Sequence, residues 1–526
     1  MKKLAGVAAL IVACLLTLCE HTNATPISGI FTYHYNNARD GQNLNETILT
    51  PSNVNSTSFG KIFSRVVDGN VAAEPLYVNG VQIPGHSTTE VVYVATEHDS
   101  VYAFDATGVE SKPLWKVSFL NRKAHITSVS WQRVQSDDIF PEIGITGTPV
   151  IDPASNTLYV ASETLEKGVI FQRLHALDLS TGAEKLGGSV VVAATVPGTA
   201  SDGDGQNITF SARLANQRCG LALSNGIVYV AYASHGDVGA YHGWIFGYDA
   251  STLAQVIAFA VTPNGALGGI WMSGSAPVID ADGNLLVVTG NGDFDADSGG
   301  VDYGDSMLKL GPTDSSDFGV LDYFTPYDQQ VFDQMDLDFG SSGVIALPDQ
   351  PSAPQHLAFT GSKEGTLYLV DRDNLGQFHV NDDSQILQSI QGQTTGSWST
   401  PAYFNGAVYT GAAYDNLKSF SLASGQLSLT PGSASNTTFA YSGTVPVISA
   451  NGAQNGIVWA IQNSKVAVLH AYNPADLTQE YYNSTQKRAR DAMTSFVKFT
   501  VPTVANGRVF VGSAKRLTAF GLLKSK

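Results

Sequence analysis

The stretch LHALDLSTG, residues 174–182, alternates apolar residues, ends on an aspartate and runs straight into a Ser-Thr-Gly turn. Versions of it recur seven more times: VYAFDATG from Val101, IFGYDAS from Ile245, MLKL from Met307, LYLVDRD from Leu367, LKSFSLASG from Leu417, LHAYNPA from Leu469 and LTAFG from Leu517. The copies decay unevenly. Those from Met307, Leu417 and Leu517 lack the aspartate, and the copy from Leu469 has Asn473 in its place. Each closes a unit of roughly 50 to 70 residues with one internal order: a Pro-containing strand, a hairpin, a Val/Tyr-rich strand, then the repeat strand. TPVIDPASNTLYVAS, APVIDADGNLLVVTG, TPAYFNGAVYTGA and VPTVANGRVFVGS show that order best. Alternating apolar residues bounded by Asn-Gly or Asp-Gly are hairpin signals, and helical periodicity is almost absent. Four short strands per unit, eight times over, predict an all-β, eight-bladed propeller of four-stranded antiparallel blades. FGKIFSRVVDG, residues 59–69, reads as the fourth strand of a last blade whose other strands are C-terminal, which would close the ring and leave no open sheet edge. A two-domain all-β protein with similar hairpins is the competing reading.

Composition fits a folded, exported chain. Of 526 residues 43% are hydrophobic and only 14% charged, which suits a large β-rich core. MKKLAGVAALIVACLLTLCEHTNA pairs Lys2 and Lys3 with an apolar stretch and a small-residue exit before Thr25, a secretory signal over residues 1–24 that leaves one propeller domain over 25–526. No later run is apolar enough to span a bilayer, so the expected location is extracellular, or periplasmic in a bacterium. A formal net charge of −17 argues against nucleic acid or an anionic membrane as partner. Cys14 and Cys19 would leave with the signal, so Cys219 has no partner for an internal disulfide; no CxxCH haem attachment occurs. Sequons at Asn45, Asn55, Asn207, Asn436 and Asn483 would carry glycans in a eukaryotic host.

NNARDGQNLNETILTPSNVNSTSFGKIFSRVVDG, together with blade ends of the type Ala-x-Asp-x-x-Thr-Gly, resembles the quinoprotein alcohol dehydrogenase-like, or PQQ-repeat, eight-bladed propellers over nearly the whole mature chain. One departure is immediate: the tryptophan that follows such blade ends in the family is kept only as Trp115, and Leu186 stands in that neighbourhood of the next copy. The resemblance implies pyrroloquinoline quinone and calcium as cofactors, with no haem. Trp271, in GGIWMSGSAP, would be the floor on which the flat quinone stacks. Asn291, in TGNG, and Asp237, in SHGDVGAYHG, would ligate calcium, which needs several hard oxygen donors. In TPYDQQVFDQMDLDFGSSG the general base would be Asp333, with Asp336 as the next choice and Asp338 nearby. Lys363 would contact the quinone oxygens. The family's disulfide of neighbouring cysteines is absent, and electrons would need an external acceptor.

Each of these residues also has a structural role to compete with. Trp271 suits the apolar filling of a propeller centre, Asn291 a hairpin cap, Lys363 with Glu364 a solvated turn pair, and the aspartates from Asp322 to Asp338 an acidic surface loop. Two further metal readings arise from the residues themselves. DFDADSGGVDYGD, residues 293–305, resembles a calcium loop but has Ser298 at the tight-turn glycine and Gly304 at the closing glutamate. His235, Asp237 and His242 lie close in sequence and could ligate a transition metal. Two function classes stand: an oxidoreductase acting on an alcohol or sugar hydroxyl, or a secreted, cofactor-free propeller that binds a carbohydrate or protein through its top loops.

Overall fold

The computed structural model describes residues 27–313 and 317–524; residues 1–24, where a secretory signal is expected, lie outside them. Eight sheets, antiparallel through their four blade strands, form a ring, and the eight repeat copies are the third strands of the eight blades. In blade 1 the strands are Leu76–Asn79, Glu90–Thr96, Ser100–Asp105 and Trp115–Ser118, from the channel outward. The third strands of blades 2 to 8 are Val169–Asp178, Trp244–Asp249, Met307–Pro312, Leu367–Asp371, Asp415–Ala423, Ala467–Asn473 and Arg516–Leu522. Where the repeat keeps its aspartate, the reason is local. Asp178 Oδ1 accepts from Ser180 N, Ser180 Oγ, Thr181 N and Thr181 Oγ1, so the carboxylate folds the turn onto itself. Asp105 and Asp249 do the same for Thr107 and Ser251.

Ring closure follows the expected pattern. Phe59–Val66 pairs antiparallel with Arg516–Leu522, from Phe59 opposite Leu522 to Val66 opposite Arg516. The lone docking tryptophan also does its work: Trp115 Nε1 donates to Leu179 O at 3.0 Å, and a Cβ on Gly182 would strike its ring, so blade 1 seats on the Thr-Gly turn of blade 2.

Several blades carry a fifth strand, and two of those additions come from a segment that the repeat pattern does not announce. Residues 28–46 form a strap that visits the inner strand of every blade in turn. Ile30 N donates to Tyr77 O, Ile151 N to Phe31 O, Ile279 N to Asn37 O, Ala346 N to Ala38 O, Tyr403 N to Asp40 O and Ile448 N to Gly41 O. Blade 3 is reached by the Asn37 amide, at Leu223 O, and blade 8 by the Asn43 amide, at Val504 O. The strap fills one end of the channel with Tyr33, His34 and Arg39, all buried. Arg39 Nε donates to Pro277 O and its Nη1 to Thr32 Oγ1, Tyr33 O and Asn36 O. Burial pulls that guanidinium down to about 9 and pushes the nearby Glu74 carboxyl up to about 8, although the His34 N–H and the Thr503 hydroxyl favour its charged form.

Above the strap, buried hydroxyls stitch neighbouring blades. Ser273 Oγ donates to Ser341 O, Ser341 Oγ to Ser397 O, Ser342 Oγ to Ser399 O and Ser399 Oγ to Thr444 O. Four backbone carbonyls of the neighbouring blades are thereby satisfied by side chains. Because the strap bonds the far ends of the inner strands, anything placed just upstream of those strands faces the opposite, open end.

Candidate functional site

That open end is a funnel of about 560 Å³, lined by Asp138, Arg218, Asp237, Trp271, Asp338, Ser341, Lys363, Trp398, Tyr441 and Lys498 among others. Six blades, 3 to 8, contribute through the same device, a polar or aromatic residue a few positions before an inner strand. The loops after the second strands of blades 3 and 5 add Asp237 and Lys363, and two longer insertions add the rest. Residues 121–145 pair along the blade 2 strand Thr157–Glu166 and deliver Asp138. The segment after Thr325 forms the short helix Gln329–Met335 and delivers Asp336 and Asp338.

On one wall, Asp138 is gripped by two cations. Lys498 Nζ reaches its Oδ1 at 2.5 Å and Arg218 Nη1 its Oδ2 at 3.3 Å. Burial alone would raise this carboxyl, but the two cations outweigh it and hold Asp138 below its usual range. The Arg218 guanidinium lies 3.9 Å from the ring centre of Phe499 and 5.5 Å from that of Trp271. Beside it, Trp398 and Tyr441 meet edge to face at 5.1 Å, with Lys498 over the tyrosine ring.

On the other wall, Lys363 Nζ bridges Asp336 Oδ1 at 2.5 Å and Asp338 Oδ2 at 3.0 Å. Asn291 locks that pair: its N–H donates to Asp338 Oδ1 and its Nδ2 to Asp336 Oδ1, while its Oδ1 accepts the Asp338 N–H. Burial raises the Asp338 carboxyl despite Lys363 and Asn291, which favour its charge. The same two aspartates hold Lys363 protonated above its ordinary range against the cost of its own burial. Asp237 accepts the Tyr241 hydroxyl at 2.5 Å, and burial pushes it up, with Asp338 and Asp336 adding to the effect as like charges.

Trp271, Asp237 and Lys363, chosen from sequence, thus line one funnel, and Asn291 and Asp336 stand directly behind Lys363. Asp333 does not share that position. It is half-buried on the helix Gln329–Met335, raised by burial and by Asp293, and Asp338 is the buried carboxyl at the funnel surface. His235 and His242 do not converge with Asp237 on an ion: His235 faces Glu163 at 3.3 Å, whereas His242 bonds Thr262 O and Asp202. The carboxylates of the 293–305 loop serve its own chain, with Asp293 accepting from Ala266 N, Asp295 from Asp302 N and Asp302 from Asn264 N. The five sequon asparagines are all exposed or half-buried, and Cys219 is a buried free thiol whose Sγ meets Ile270 O.

Calcium requires several uncommitted oxygens. Here the Asn291 amide is spent on Asp336 and Asp338, and those two carboxylates already share an ammonium. A stacking floor needs an open ring face, but Trp271 is 7% exposed and lies beneath Arg218, edge-on to Tyr241. As arranged, the site does not fit a stacked quinone on calcium.

No protein-family model matches the chain, and comparison with curated proteins finds no relative. Among solved structures, BamB from Moraxella catarrhalis superposes with a TM-score of 0.50 at 15% identity, over 88% of this chain and 99% of that one. Sqt1 of Saccharomyces cerevisiae gives 0.49 at 11% identity over 89% and 100%, and the computationally designed protein Ika8 gives 0.48 at 11% over 88% and 100%. At these identities the likeness extends to the propeller fold alone.

Proposed function

We infer that this propeller is a binding protein whose funnel takes a neutral, polyhydroxylated ring compound of the saccharide class. The observation that carries the reading is the alternation, around one blind funnel, of aromatic faces with charged groups that are already paired. Trp398 and Tyr441 offer surfaces for the apolar face of a ring. Asp138, Asp237 and Asp338 keep oxygens that accept from hydroxyls, and Lys498, Arg218 and Lys363 donate to ring or hydroxyl oxygens. Because each cation is shared with a carboxylate, a neutral polyol adds hydrogen bonds without breaking an ion pair. A net-charged ligand would have to compete with these pairs. The strap closes the far end, so a bound ring has water on one side only.

A second reading has one observation in its favour: Asp237, Trp271 and Lys363, three positions implied by the quinoprotein resemblance, meet in the same funnel. It would require Lys363 to leave Asp336 and Asp338 and Arg218 to leave the indole. A single titration separates the two. Purified protein is titrated by calorimetry and tryptophan fluorescence with a panel of neutral saccharides, and in parallel with pyrroloquinoline quinone plus calcium followed by dye-linked alcohol oxidation. The binding reading expects a saccharide to bind and quench, with no oxidation. Calcium-dependent quinone uptake with turnover, and no saccharide binding, would reverse the assignment.

A further inference from the structure

The mouth of the funnel carries an aromatic side chain that the site described above does not use. Tyr414 stands in the turn between the second and third strands of blade 6, Ala407–Thr410 and Asp415–Ala423, and is 69% exposed. Its backbone is left-handed, with φ 58°. The same turn in blades 1, 2, 5 and 8 holds Asp99, Lys167, Gly365 and Lys515 at a left-handed φ. Glycine and aspartate suit such a position, whereas a bulky aromatic residue there is an outlier that costs energy. Three Tyr or Phe residues have a φ of this kind among the described residues. Tyr35 and Phe499 pack with core clusters, where burial offsets the strain. Tyr414 is left in solvent, so its strain holds out a ring that the fold itself does not need.

The surroundings of the turn fix where that ring is presented. Tyr414 N donates to Phe439 O at 2.6 Å, two residues before Tyr441, and Ala413 N donates to Gly396 O at 3.0 Å, two residues before Trp398. Thr395 Oγ1 also donates to Ala413 O. The turn is thereby clamped between the two segments that supply the aromatic wall of the funnel, where Trp398 and Tyr441 meet at 5.1 Å. Tyr414 lies within electrostatic reach of the Tyr441 hydroxyl but does not line the funnel, so it belongs to the rim. In blades 3 and 5 the same connection, from second to third strand, supplies Asp237 and Lys363 to the funnel. The strap closes the far end of the channel, so a chain of rings enters by one terminus only. A unit attached to a ring bound against Trp398 and Tyr441 extends outward across this rim.

We propose that the funnel takes the terminal ring of a neutral oligosaccharide and that Tyr414 is the platform for the second ring. The proposal rests on the saccharide reading of the funnel and adds a chain-length preference to it. Tyrosine offers a large, amphipathic face at low conformational cost, and the clamped turn fixes its backbone in advance. Stacking on that face is tolerant of the pattern of hydroxyls, so Tyr414 selects length, while the paired charges inside the funnel select the first sugar.

The test is calorimetric titration of the full mature chain with glucose, mannose and galactose and with their neutral homo-oligomers of two to four units. The proposal expects a disaccharide to bind about five times more tightly than its monosaccharide, the size of one added stacking contact, with little further gain from a third unit. Tyr414→Asn suits a left-handed turn, so it should bring that ratio to about one while the melting temperature stays at or above that of the wild type. Tyr414→Phe should keep the ratio. Trp398→Ala should weaken mono- and disaccharide alike. Equal affinity for both lengths in the wild type overturns the proposal and leaves the saccharide reading standing, and so does a length preference that survives in Tyr414→Asn. Absence of binding by every saccharide in the series overturns both.

Discussion

The two ends of the central channel are built on the same eight inner strands and differ in what meets them. At the strap end, backbone carbonyls and N–H groups of residues 28–46 pair blade by blade, and the one large cation, Arg39, is spent on four fixed acceptors. At the funnel end the corresponding upstream positions carry Asp138, Arg218, Trp271, Asp338, Trp398, Tyr441 and Lys498, whose charges are paired with one another and still face the opening. A ring fold therefore separates its tasks by height along one strand: backbone pairing closes the bottom, and side chains one or two turns of chain upstream are left free to vary at the top.

That contrast can be broken most severely at the strap. Arg39→Met removes four hydrogen bonds from buried acceptors and should lower unfolding free energy by about 3–5 kcal/mol, read from urea denaturation. An unchanged midpoint would mean that the strap does not hold the ring. Next in size is Trp115→Ala. Loss of the indole and of its bond to Leu179 O should cost about 2–3 kcal/mol and loosen the seam between blades 1 and 2, visible as faster hydrogen exchange there than between blades 4 and 5.

The strap end also carries a pH signature. Glu74 is raised by burial to about 8 from its ordinary value of 4.5, so the folded state binds a proton that the unfolded chain releases across that interval. Stability contributed by this group is fully present below about pH 4.5 and declines as pH rises through 8, by on the order of 1 kcal/mol per pH unit. Melting curves between pH 5 and 8.5 should show the decline, and Glu74→Gln should flatten it. At the funnel end, effects fall on binding rather than on folding. Trp398→Ala should weaken saccharide binding about tenfold with a melting temperature within a few degrees of wild type, and Asp333→Asn, off the funnel surface, should leave affinity unchanged within about twofold.

The sequence disclosed the two halves of this design unequally. The blade count was legible because LHALDLSTG and its relatives combine a period-2 strand with an aspartate that caps its own turn, two local signals that survive partial decay. Closure by residues 59–69 was legible because that stretch reads as one more strand for a blade whose other strands are C-terminal. The strap was not, because its contacts run through backbone carbonyls and leave no pattern of residue types. Trp271, Asp237, Asn291, Lys363 and Asp336 came from the quinoprotein resemblance and meet around one wall, although Asn291 locks the aspartates instead of offering a free oxygen. Arg218, Asp138, Lys498, Trp398 and Tyr441 escaped, since sequence separation hides what a ring brings together. A signal was present: Trp398, Lys498, Tyr441 and Trp271 stand three, four, five and six residues before Pro401, Pro502, Pro446 and Pro277. The proline marks where an inner strand begins, so a large side chain just ahead of it faces the channel mouth.

The most direct test of the binding account is calorimetric titration of neutral saccharides into wild-type protein and into Trp398→Ala and Asp338→Asn. The account predicts saturable binding to the wild type that both substitutions weaken by about tenfold or more without loss of fold. Absence of binding at millimolar saccharide, with calcium-dependent uptake of quinone by the same protein, would contradict it.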